Sequence, residues 1–240
     1  MTSVARKGSP RALARLTGGL YLYIMIGGLF AEAFVRDRLI VSNDAAATVH
    51  NIASSEALWR WGVAADVSTT LCDVAVAVLL FVLLAPVSRA MALSAAAFRL
   101  AYSAAMAASA ALLVAPLFLL RDAAGGSQPM TALVAYSLHL HGAAFEIALT
   151  LFGVHLVLVG VLVARSTFLP RLLGAGLAVA GACYFANSFI GLVAPSFGKG
   201  LFPWILLPGF LAEGGLTLWL LIAGINDQRW REASAAAGAG

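Results

Sequence analysis

Along this 240-residue chain, polar positions interrupt long apolar runs rather than alternate with them. Six runs can cross about 30 Å of hydrocarbon at about 1.5 Å per residue. They lie near Leu16–Val35, Trp61–Ala85, Met91–Leu120, Tyr136–Ala164, Leu172–Val193 and Trp204–Ile225. The third and fourth are longer than a span requires, so tilt or extension into the headgroup region is expected. The pattern predicts an all-α integral membrane bundle of about six transmembrane helices. It forms one domain over residues 1–232, with a short outer amphipathic helix and a disordered small-residue tail over 233–240.

Local signals refine the ends. Ser9 is placed to cap a helix whose first residue is Pro10, and Pro170 and Pro203 suit the first turns of the fifth and sixth helices. Pro86 closes the second. Pro208-Gly209 falls inside the sixth run, which predicts a kink or a freed carbonyl there. In the first connection, Asn43 or Asp44 caps a short helix through Ile52, and Ser54 or Ser55 with Glu56 opens the next. Trp59 and Trp61 stand where aromatic anchors meet headgroups.

Composition agrees: 62% of residues are hydrophobic and 11% charged, against about 25% charged in soluble domains. The formal charge of +4 does not indicate nucleic acid, because the basic residues mark segment ends instead of forming an aromatic-interleaved patch. One side holds Arg6, Lys7, Arg11, Arg15, Arg89, Arg165, Arg171, Arg229 and Arg231; the other holds Arg36, Arg38, Arg60, Arg121 and Lys199. The excess places both termini on the cytoplasmic side of a cell membrane. A basic start followed by Ala31-Glu32-Ala33 imitates a cleaved signal, but the long apolar run favours a retained helix. Cys72 and Cys183 lie in apolar runs without CxxC spacing and read as small hydrophobes.

Arg99, Asp73, Glu146, Glu213 and His155 interrupt the spans. A charge at the bilayer centre costs at least about 2.5–3.5 kcal/mol, so such groups face the protein interior and find partners. Asp73 lies about 18 Å from Trp61 along its helix; Arg99, Glu146 and Glu213 fall at a similar depth. Two readings stay open: a structural Arg99–carboxylate pair, and a proton- or ion-coupled site. His155, nearer the inner end, is expected to bond a backbone group or hydroxyl, with Tyr102 and Tyr184 as candidate neighbours.

Glu32, Asp66, His139, His141 and Asn187 form a second, outer layer. His139 and His141 diverge by about 200° on a helix and cannot share an ion; no metal site is read. Ala92, Ala96, Ala101, Ala105 and Ser109 give the third helix a small face that suits a central position for Arg99. Gly153 and Gly160, with Gly174 and Gly181, suggest tight seams between the fourth and fifth helices. GxSxG, HExxH and P-loop patterns are absent, and no cofactor can be named.

Several segments together resemble a bacterial multi-pass membrane family, domain of unknown function four-three-eight-six. They are Arg15-Leu16-Thr17-Gly18-Gly19-Leu20-Tyr21, Ala45–Ile52, Trp61–Asp66, Ala97-Phe98-Arg99-Leu100, Phe152-Gly153-Val154-His155-Leu156 and Phe168–Gly174. The resemblance implies a six-helix membrane protein with Arg99 and His155 as pattern positions, and it implies no activity. The expected role is binding or translocation of a small molecule or ion within the bilayer, with protein partners open. The rivals are an intramembrane enzyme built on the outer His/Asp/Glu layer and a structural or regulatory subunit.

Overall fold

The computed structural model describes residues 9–122, 128–194 and 204–238. The expectations for Arg6, Lys7, Lys199, Pro203 and the Arg121 side chain fall outside them. Among the described residues the chain is all-α: α1 (Pro10–Leu39), α2 (Ala45–Ser54), α3 (Glu56–Leu84), α4 (Arg89–Asp122), α5 (Gln128–Arg165), α6 (Arg171–Val193), α7 (Trp204–Ile222) and α8 (Asp227–Gly238). Six of these, α1 and α3–α7, are long and apolar enough to cross a membrane.

The chain sorts into two compact units. One takes the described residues of Met1–Leu22, Cys72–Tyr102 and Glu146–Gly240; the other takes Tyr23–Leu71 and Ser103–Phe145.

In the first unit, backbones touch. A Cβ on Gly153 would stand 2.7 Å from the Phe185 amide nitrogen, and one on Gly160 would stand 2.5 Å from that of Ala178. Gly174 and Gly181 meet α5 from the other side with equal closeness, so the seven-residue glycine spacing is a seam between α5 and α6. Without a hydrophobic driving force between helices in lipid, close van der Waals approach of this kind holds them together. Gly18 makes the corresponding approach to α7, where a Cβ would lie 2.6 Å from the Leu221 nitrogen. Of the small face expected on α4, Ala92, Ala96 and Ser109 are buried and Ala105 half-buried, whereas Ala101 is exposed.

Several helix ends differ from expectation. The Ser9 hydroxyl does not cap α1; it donates to Asp227, whose other oxygen accepts the Arg11 amide at 2.9 Å. Pro170 is the N-cap of α6 rather than a first-turn residue. Pro208 produces no interior kink: α7 opens with a 3₁₀ turn at Trp204–Leu206, and regular helix begins at Leu207 with the proline in its first turn. A proline there lacks an N–H that would have no helical partner anyway. The segment expected to be a disordered tail is helical to Gly238, consistent with alanine's helix preference.

In the second unit, Val35, Leu39, Ile52, Trp59, Leu113 and Leu117 form the core. Trp59 is therefore no headgroup anchor: it is 1% exposed and its Nε1 donates to the Leu113 carbonyl at 2.8 Å. Trp61, 69% exposed, keeps the outward position. Asp44 caps α2 by accepting the Ala47 amide, while Asn43 adopts the left-handed φ of 64° that ends the preceding turn. Between Phe30 and Arg36, α1 widens into a π-helix.

Candidate functional site

The polar groups of the first unit converge on Arg99, which has no exposed surface. Its Nη2 donates to Asp73 Oδ1 in an ion pair, and its Nη1 donates to the Tyr21 hydroxyl. The same Nη1 lies 3.1 Å from His155 Nε2, and His155 Nδ1 lies 2.8 Å from the Ala95 carbonyl. A guanidinium nitrogen only donates, so Nε2 must accept; Nδ1 then carries the proton and donates to Ala95. His155 is thus assigned as a neutral imidazole tautomer, bridging the cation to the backbone of the cation's own helix.

The burial is nearly complete: Asp73, His155 and Tyr21 are 4%, 1% and 2% exposed. Removing two charges from water costs several kcal/mol each, offset only if the pair is close and well hydrogen-bonded. One carboxylate, one phenol and one imidazole engage the two terminal nitrogens of the guanidinium.

The site continues through aromatic rings. Phe152 stands 4.7 Å from Tyr102, 5.5 Å from His155 and 5.9 Å from Tyr184, centroid to centroid, and its ring lies 5.3 Å from the Arg99 guanidinium carbon. Tyr184 then donates to Glu213 Oε1 at 2.9 Å. Gly209, one turn before Glu213, makes this possible, because a Cβ there would collide with the Tyr184 hydroxyl. Glu213 is half-buried and close enough to interact electrostatically with Arg99 and Asp73.

Asp73, Arg99 and His155 thus meet directly, and Glu213 joins through Tyr184. Glu146 does not. Nine residues separate it from His155, about 900° of helical rotation, which puts the two on opposite faces of α5. Glu146 shares the glycine-seam face, and a Cβ on Gly191 would lie 3.0 Å from its carboxylate. Sequence reasoning missed Tyr21, an ordinary interface aromatic in the first apolar run.

The outer layer does not assemble as one group. Within the second unit, Arg36 donates through Nε to Glu32 at 2.6 Å and through Nη1 and Nη2 to Asp66 at 2.6 and 3.4 Å. The forked grip on Asp66 is the stronger contact, since Asp66 is 8% exposed at the side chain and Glu32 is 60%. Arg36 reads from sequence as a segment-end cation; the π-helical turn that carries both it and Glu32 gave no sequence signal. His139 lines a separate cavity of about 480 Å³ with Asp44 and Thr48, and His141 is tied to Ser109 at 2.7 Å. Asn187 belongs to the other unit. Among the described residues, no three His, Cys, Asp or Glu side chains are grouped to hold a metal ion.

A family model described as Domain of unknown function (DUF4386) matches residues 16–224. An "Uncharacterized protein" of Archaeoglobus fulgidus is 29% identical over 152 residues, covering 63% of this chain and 76% of the relative. No solved structure matches the chain.

Proposed function

The chain belongs to the family described as Domain of unknown function (DUF4386), and within it we propose a multi-pass membrane protein that binds or translocates a small molecule or ion at the Arg99 site. One observation carries this reading. The site holds a single guanidinium and two carboxylates, and Asp73 already neutralises Arg99. Glu213, inside a span and half-buried, is held by a phenol instead of a cation. A carboxylate in that setting is stable when it carries a proton or a bound cation. The division of roles follows: Asp73, Tyr21 and His155 fix Arg99 and the helices around it, and Glu213 is the exchangeable group. We further propose a cell-membrane location with both termini cytoplasmic, supported by the excess of Lys and Arg at the segment ends on that side.

The test uses the whole chain in lipid vesicles. A hydrophobic carbodiimide, which adds only to protonated carboxyls in apolar surroundings, is expected to modify Glu213 with decreasing yield as pH rises. A pH dye trapped in the vesicles is expected to report proton movement that Glu213→Gln abolishes and Glu213→Asp retains in part. Absence of both Glu213 labelling and Glu213-dependent flux in folded protein overturns the reading.

A further inference from the structure

One end of the first unit places Arg11, Arg15, Arg171 and Arg229 on or beside the C-terminal helix and its approach. Asp227 ties α8 to the start of α1, and Asn226 donates to the Phe168 carbonyl at 3.4 Å. Trp230, 8% exposed, sinks its ring into the unit and donates Nε1 to the Leu83 carbonyl at 2.9 Å. Arg229 Nη1 donates to the Thr167 carbonyl at 3.1 Å. The loop between α5 and α6 and the outer face of α8 border an open cavity of about 530 Å³, lined by Ser166, Thr167, Leu169, Arg171, Arg229 and Glu232.

We propose that this cavity holds the phosphate of an anionic phospholipid headgroup. Arg171 and Arg229 supply planar forks of N–H donors that match phosphate oxygens. Only one of Arg229's donors is engaged by Thr167, and that bond fixes the side chain on the cavity wall. Arg165 precedes the loop and Arg231 follows on α8, so the surrounding field favours an anion. Glu232 opposes it but is engaged by the Gln228 amide at 3.0 Å.

A lipid fits better than a free anion because of what adjoins the cavity. Leu172, next to Arg171, is 84% exposed, and Val179 two turns on is 56% exposed. Along a membrane-spanning helix these positions offer acyl chains an apolar track leading away from the phosphate. Arginine-lined cavities at span ends take acidic headgroups for the same reason.

Native mass spectrometry on the detergent-purified full chain tests this, with phosphatidylglycerol, phosphatidylcholine and inorganic phosphate as probes. Phosphatidylglycerol is expected to be retained in preference to phosphatidylcholine. Each arginine near an anionic headgroup contributes about fivefold, so Arg171→Gln with Arg229→Gln is expected to weaken retention by about 25-fold. Arg38→Gln, an exposed arginine of the other unit, is expected to leave retention unchanged. Glu232→Gln is expected to strengthen it, and decides the matter if the double variant does not fold. Equal retention of the two lipids, an unaffected double variant, or no gain from Glu232→Gln overturns the proposal. Binding of inorganic phosphate without phosphatidylglycerol would instead mark a free-anion site and equally overturns it.

Discussion

Replacing Asp73 by Asn removes a charge from the Arg99 site while leaving its shape almost unchanged, so the response isolates electrostatics from packing. The guanidinium would remain fully buried, with Tyr21 and His155 among its partners but without its ion-paired carboxylate. Removing one member of a buried ion pair costs about 3–5 kcal/mol. The opposing consideration is that polar contacts within membranes average only about 0.6 kcal/mol, because the dispersed helices also find partners. An ionised group without surface access is the case in which the larger figure should hold. For a chain of this length, about 3–5 kcal/mol corresponds to roughly 6–20 °C in Tm. Arg99→Met removes the other charge, and the combined Asp73→Asn/Arg99→Met variant is expected to recover part of either loss, with a coupling of at least about 2 kcal/mol. The assay is unfolding in mixed micelles followed by tryptophan fluorescence, supported by the temperature at which the monodisperse peak is lost. Single-variant losses below about 1 kcal/mol, or a double variant equal to the sum of the singles, would refute the reasoning.

Three further outcomes are expected by the same unfolding measurement. Gly160→Ala drives a methyl group into the α6 backbone and is expected to cost about 1–3 kcal/mol or more, whereas Gly28→Ala, with nothing within 4 Å of the new carbon, is expected to be neutral or slightly stabilising. Pro208→Ala is expected to change stability by less than about 1 kcal/mol, because the residue lies in a first turn; relief of an interior proline would instead add about 3 kcal/mol.

How much was legible depended on whether the signal was periodic. The six spans were legible because each is an apolar run with polar ends, and the α5–α6 seam because glycines seven apart share a helix face. That Arg99 pairs with a carboxylate followed from cost; which of the three acids at its depth it takes, Asp73, was settled by packing. Depth misled for Glu146, since equal depth does not mean equal direction; the nine-residue offset from His155 already placed it on the far face. Arg36 was misjudged because a cation at a span's end looks solvated, whereas in the fold it sits on the π-helical turn and grips Asp66. Pro208 and Trp59 depended on where helices begin and on what covers a surface loop, which are settled by tertiary packing.

The glycine contact between α5 and α6 constrains how this protein can change shape. Where main chains meet with no layer of side chains between them, there are no rotamers to switch and little room to slide. The pair would travel as one stiff lever, so any rearrangement of the Arg99 cluster falls to the other helices that carry it, α1, α3, α4 and α7.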